Sequence, residues 1–369
     1  MRELLFVGTY TENILFGTGQ VLPGKGKGIH FLELSPDGCL TDLGYEPDIR
    51  NPSFLCLSRD GDYLYCVNEL KEFDGQASGA ASSFGVSYED GVPSLRFLSM
   101  QPTGGADPCH INVNRARTHA FVANFMSGSA AMFPIKDDGS LGPASDFVQY
   151  EGHGLEPRRQ KSPHAHSVVF DPNETRAFVP DLGTDRLMAY RIHYGSGTFV
   201  PERTPFLRVA PGSGPRFMEF HPNGKWVYFI NELASSVSLL DYDDESGGFA
   251  VRGTWSTLPD DFVGDNICAD LHLTRDGGLL YASNRGHDSL MRFRIDPATG
   301  EPAPLGAVSC GGRTPRNFTM SLTGDYLVVA NQDSDNLVSY RINHATGALD
   351  HIDEIAVPTP VCIRSFGHE

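Results

Sequence analysis

Five ionisable residues stand at two fixed offsets from a recurring small polar residue. His166, Arg216 and Arg316 each precede such a residue by fifteen positions (Asp181, Asn231 and Asn331). Glu232 and Arg285 each follow one directly (Asn231 and Asn284). These side-chain types suit acid–base chemistry on an anionic substrate. Imidazole titrates near neutrality and serves as a general base. Guanidinium is a fixed, forked cation that grips carboxylate or phosphate and stabilises developing oxyanions. Glu69 and Gln332 also follow anchors directly (Asn68 and Asn331), while His110 falls one residue beyond the equivalent early position. His164 lies two residues before His166, and H-x-H is a known metal-ligand spacing on a strand. No third ligand stands at a fitting position, so one catalytic and one structural histidine is the preferred reading, with no metal.

The offsets belong to a repeat. A strand–turn–strand unit recurs roughly every fifty residues. Six copies are intact, running Pro52–Asn68, Pro108–Asn124, His164–Asp181, Pro215–Asn231, Cys268–Asn284 and Pro315–Asn331. The N-terminus supplies only a second half (Leu4–Thr9) and the C-terminus only a first half (Pro360–Ile363). Joined, the halves make a seventh unit, which is what a closed ring needs. The expected fold is all-β, a seven-bladed propeller closed by pairing the terminal strands, with residues 1–369 as one domain. Turn pairs such as Asp60-Gly61, Asn223-Gly224 and Asp276-Gly277 punctuate short apolar runs, and no long segment has helical periodicity.

Within each blade the first strand lines the central channel and pairs antiparallel with the second. The start of one and the end of the other therefore share a rim. The anchors Thr9, Asn68, Asn124, Asp181, Asn231, Asn284 and Asn331 read as turn chemistry. Fifteen residues earlier the blades differ: Ser53, Cys109, His166, Arg216, Ala269, Arg316. Directly after the anchors they differ again: Tyr10, Glu69, Phe125, Leu182, Glu232, Arg285, Gln332. A shared structural duty would select similar residues, so the departures mark a site at one channel mouth. Any one arginine here could instead be a strut between blades, with Glu232 as its partner.

Three loops exceed what the repeat requires and open on this rim: 11–28, 71–83 and 151–163. The first is rich in glycine (Gly17, Gly19, Gly24, Gly26, Gly28), which suits either a mobile lid or a loose insertion. Lys25, Lys27, Arg158, Arg159 and Lys161 are expected to make the mouth positive.

Composition excludes several functions. A net charge of −17 argues against nucleic acid or an anionic membrane as a partner. Seven scattered cysteines without a C-x-x-C point to a reducing compartment rather than structural zinc. No signal segment or spanning apolar run is evident, so a cytoplasmic location is expected. No Gly-x-Ser-x-Gly elbow, phosphate loop or dinucleotide fingerprint occurs, and no cofactor is expected. The oligomeric state is not legible.

Gly8-Thr-Tyr-Thr11, Pro163-His-Ala-His-Ser-Val-Val-Phe-Asp-Pro172, Gly212-Ser-Gly-Pro-Arg-Phe217, Asn231-Glu-Leu233, Ser283-Asn-Arg-Gly-His-Asp-Ser289 and Thr314-Pro-Arg316 resemble the seven-bladed propeller lactonase family. That family includes bacterial 6-phosphogluconolactonases and a fungal muconate lactonizing enzyme. The resemblance implies His166, Arg216, Glu232 and Arg285 as catalytic groups, the four that the blade comparison singles out. It implies a small anionic or sugar lactone as substrate, with Arg316, His110, Glu69, His164 and Gln332 as candidates to bind it. Hydrolysis is the first reading, a muconate-type cycloisomerase the second, and a non-catalytic binding scaffold the third.

Overall fold

A computed structural model describes residues 2–16 and 19–368. Gly17 of the glycine-rich loop lies outside the described residues. Seven four-stranded antiparallel sheets form the blades. Blade one takes its innermost strand from the C-terminus, Pro360–His368, and its second from the N-terminus, Arg2–Thr9, paired from Arg2↔His368 to Thr9↔Pro360. Blades two to seven follow in chain order, with innermost strands at Pro52–Leu57, Pro108–Val113, Val169–Phe170, Pro215–Phe220, Ile267–Leu273 and Pro315–Met320. No helix of the described residues is long and apolar enough to cross a membrane.

The core lies between neighbouring blades. Apolar residues of adjacent sheets interdigitate, as where Tyr228, Ile230, Val237 and Leu239 of blade five meet Leu271, Leu280, Ala282 and Phe293 of blade six. Burial of this kind contributes about 25 cal/mol per Å² of apolar surface. All seven anchors are buried and structural. Thr9 donates to Gly28 O (2.6 Å), Asn68 to Arg50 O (2.7 Å), Asn284 to Thr257 O (2.8 Å) and Asn331 to Cys310 O (3.0 Å). Each satisfies a main-chain carbonyl that would otherwise be stranded in the interior.

Two expectations need correction. The segment 71–83 is not all loop, because a strand begins at Ala80 and runs to Glu89. In blade four, regular pairing of the innermost strand is confined to Val169–Phe170, with one isolated bridge from Ala165 to Asp181. His164 and His166 thus sit in irregular chain rather than in a regular strand. Segment 11–28 carries a small hairpin, Ile14–Leu15 against Val21–Leu22. Gly24, Gly26 and Gly28 mark close approach, while Gly19 (φ 85°) has open space around it. A Cβ on Gly24 would overlap Glu12 O, on Gly26 the Thr9 side chain, and on Gly28 the Glu46 carbonyl.

Candidate active site

A local device repeated around the ring aims side chains at the mouth. The residue before the opening proline is left-handed in five blades: Asn51 (φ 39°), Asp107 (50°), Gly214 (63°), Thr314 (57°) and Thr359 (41°). This conformation is costly for a residue with a side chain and persists where the surroundings enforce it. A register shift follows directly, between Pro52/Phe54, Pro108/His110, Pro215/Phe217 and Pro315/Asn317. Such bulges re-aim a side chain. The extra residues are Ser53, Cys109, Arg216 and Arg316, and the corresponding shift in blade one frees Val361. A clip then joins the two rim positions. The residue after each anchor donates its amide to the left-handed residue's carbonyl: Glu69 to Asn51 (3.0 Å), Phe125 to Asp107 (2.9 Å), Glu232 to Gly214 (2.7 Å) and Gln332 to Thr314 (3.0 Å).

Glu232 is the electrostatic centre of the mouth, with its side chain only 2 % exposed. Its Oε2 lies 2.8 Å from Arg285 Nη2 and 3.0 Å from Arg216 Nε, while Oε1 accepts from Arg159. Burial alone would raise this carboxyl, but Arg285, Arg159 and Arg216 together outweigh it and hold the group well below the usual range. Glu232 is therefore a permanent anion. The arginines are fixed in turn, Arg285 donating to Cys268 O at 2.6 Å and Arg216 to Ala269 O. The buried Nε of Arg285 has no hydrogen-bond partner, while that of Arg216 faces Glu232. Three cations on one anion leave this arc net positive, against the −17 of the whole chain.

His166 stands beside this cluster, its Nε2 3.9 Å from Glu232 Oε2. Burial first, and Arg216 second, drive its pKa well below the ordinary value. The imidazole is neutral at pH 7. The Cys109 thiol, pushed up by burial, lies 3.3 Å from His166 O and 3.6 Å from His166 Nδ1. Phe125 packs edge-on against the ring at 5.1 Å.

The expected binding residues divide. Arg316 lines the same cavity as His166, Arg216, Ser53 and Cys109, its guanidinium 5.4 Å from the Tyr10 ring centre. Among the described residues it has no ion pair. Glu69 is buried and accepts the Tyr10 hydroxyl on both oxygens, at 3.0 Å each. His110 lines the same cavity, tilted against Phe54 at 4.2 Å, with its Nδ1 accepting from Val168 N (3.3 Å) and its pKa lowered by burial to about 3. His164 stacks on Phe125 at 4.6 Å and its Nδ1 meets Phe125 O at 2.9 Å. Gln332 donates to Asp333 Oδ1 at 2.8 Å. No cluster of three or more His, Cys, Asp or Glu placed for a metal occurs among the described residues. The predicted collar of cations is thinner than expected. Lys25 pairs with Asp335 (2.6 Å), and Lys27 packs over Tyr45 on the outer strand of blade one. Arg159 reaches the centre instead, with a role beyond the general positive charge expected of it.

A larger cavity of about 590 Å³ opens among the opposite ends of the innermost strands, lined by Phe54, His110, Phe217, Glu219, His272 and Arg364 among others. Its titratable groups are mutually satisfied. His272 sits between Glu219 (2.8 Å) and Asp270 (3.2 Å); burial lowers its pKa, but the two carboxylates override this and raise it to about 10.

The chain is similar to known proteins over nearly its whole length. Residues 4–365 match the family described as "Lactonase, 7-bladed beta-propeller". The chain is 32 % identical over 366 residues to a 6-phosphogluconolactonase of Bacillus subtilis, covering 99 % of this chain and 98 % of that one. Among solved structures it resembles a putative 6-phosphogluconolactonase of Bacteroides fragilis (TM-score 0.89, 33 % identity, covering 99 % and 98 % of the two chains). It also resembles a periplasmic gluconolactonase of Pseudomonas aeruginosa (TM-score 0.90, 30 % identity, covering 100 % and 99 %). With its split blade closed by the chain termini, its rim of re-aimed side chains and a match over nearly its whole length, the chain belongs to the seven-bladed β-propeller lactonase family.

Proposed function

We propose that the protein hydrolyses a sugar-derived lactone, phosphorylated or free, at the mouth formed by blades four to seven. One observation carries the reading: a neutral, buried imidazole lies with its Nε2 3.9 Å from a carboxylate pinned by three arginines. His166 Nε2 removes a proton from the attacking water. The carbonyl oxygen becomes an oxyanion next to Arg216 and Arg285, whose buried fixed charges act strongly where water is excluded. Glu232 stabilises the imidazolium that forms and holds the arginines in place. It does not act as the acid, since it stays ionised. Arg316, without a carboxylate partner among the described residues, is the cation that receives an anionic group of the substrate.

The test is a substrate panel. Purified protein is offered δ- and γ-sugar lactones, phosphorylated and free, and then muconates. Accelerated ring opening of a sugar lactone is expected. Turnover of muconates alone would replace hydrolysis with cyclisation. No turnover of any of them would return the fold to a binding scaffold.

A further inference from the structure

Lactone opening needs a second proton transfer, because the ring oxygen leaves as an alkoxide. We propose that Glu69 is the general acid that delivers this proton. The assignment rests on the lactonase reading above and names a residue for the step which that reading leaves open.

Position is the first argument. Glu69 and Glu232 occupy the same rim position, directly after the anchors of blades two and five. Three of the seven steps around the ring separate them, so they face one another across the mouth. Both are buried and both backbones are fixed by the same clip. A substrate carbonyl held against His166 and Arg285 on one side presents its ring oxygen toward the other.

Environment is the second argument. Every oxygen of Glu232 faces a guanidinium. Glu69 has no ion pair among the described residues. Its partner is the neutral phenol of Tyr10, itself wholly buried. The charged or titratable groups around it are Arg316, Asp107, Tyr10 and Cys109, with the hydroxyl of Ser53 alongside. Lys71 neutralises Asp107. Burial, resisted by Arg316 and assisted by Asp107, moves the Glu69 carboxyl upward while Glu232 moves downward. Two carboxyl groups in one site whose environments push them apart mark a proton donor and a permanent anion.

The step balances. Water loses one proton to His166 Nε2 as its oxygen bonds to the carbonyl carbon. The tetrahedral intermediate collapses with cleavage of the bond from carbon to ring oxygen, and the Glu69 O–H proton goes to that oxygen. The free hydroxy acid results. His166 then releases its proton to solvent and Glu69 regains one.

The experiment compares two rings of one shape. Glucono-δ-lactone expels an alkoxide, whose conjugate acid is near that of water at about 16. Its ring-sulfur analogue expels a thiolate, with a thiol pKa of about 8.5, and needs no proton. General acid catalysis contributes roughly 10²–10⁴-fold. Glu69→Gln is therefore expected to lower kcat for the oxygen ring at least about 100-fold while leaving the sulfur ring within about threefold of wild type. Retained turnover of the sulfur ring shows that the variant is folded. An equal fall for both rings, or no fall for either, overturns the assignment and returns the second transfer to His166. His166→Ala runs beside it and should lose both rings. A wild-type protein inert toward both, or a His166→Ala variant that keeps both, would strike the lactonase reading itself.

Discussion

Replacing Glu232 by Gln removes one negative charge and leaves three guanidinium groups facing each other. Arg216 and Arg285 have side chains only 8 % and 12 % exposed, while Arg159 at 21 % retains some access to water. Breaking a buried pair by removing one partner costs about 3–5 kcal/mol, because the remaining charge stays desolvated. The unfolding entropy of a chain this long, at about 2.1 cal/mol/K per residue, is near 0.8 kcal/mol/K, so the melting temperature should fall by about 4–6 °C. The sign with pH is fixed by the depressed carboxyl. A group ionised more easily when folded stabilises above its unfolded pKa of about 4.3 and loses that contribution as pH falls through its lower folded value. The gap between wild type and Glu232→Gln should thus be full at pH 7 and shrink progressively below about pH 4.3. Thermal melts by circular dichroism at stepped pH measure it. Adding formate to Glu232→Ala, which vacates the carboxylate position, should raise its melting temperature more than that of wild type. A shift under about 1 °C at pH 7, the behaviour of a screened surface pair, would refute the reasoning.

Four further outcomes follow from the same structure. The acid limb of the wild-type kcat/KM profile, set by His166, should lie below pH 6.5, because burial and Arg216 depress His166; an acid-limb inflection at 6.5 or above would contradict it. His272 has a raised pKa of about 10, so its stabilisation is complete below the unfolded value of about 6.5 and is lost as pH rises toward about 10. Stability should decline over that window in the wild type, and the slope should flatten in His272→Gln, as read by urea melts. Gly26→Ala should cost about 1–3 kcal/mol, since a Cβ there overlaps Thr9 and the Tyr10 carbonyl; an unchanged urea midpoint would deny that the 24–28 segment is tightly packed. Arg316→Gln should raise KM for a phosphorylated lactone at least about tenfold more than for its free counterpart, as expected when a desolvated charge pair is lost; equal effects on both would remove Arg316 as the anion receiver.

The ring was legible because its repeat is written twice, in the apolar alternation and in the anchors, and because the split unit at the termini has one use. Blade comparison found His166, Arg216, Glu232, Arg285 and Arg316, since their offsets from the anchors are preserved by the strand register. Two kinds of feature escaped. Arg159 hangs from a loop without periodicity, so nothing in its spacing tied it to Glu232. Tyr10 was in the rim series, yet only the folded chain shows its hydroxyl on Glu69. A fainter signal was available in the residue before each opening proline: Asn51, Asp107, Gly214 and Thr314 are types that tolerate or are driven into left-handed backbone, and they foreshadow the bulges. His164 and Gln332 have polar atoms engaged by Phe125 O and Asp333 Oδ1, contacts that strand spacing does not report.

The central claim is that a neutral His166 and the arginines pinned on Glu232 open a lactone ring. Steady-state hydrolysis of glucono-δ-lactone and its phosphorylated form, corrected for spontaneous opening, measures it directly in wild type, His166→Ala and Arg285→Ala. The account predicts a loss of at least about 100-fold in kcat/KM for each variant, the scale of a lost general base or oxyanion donor. Turnover left intact by both substitutions would contradict it.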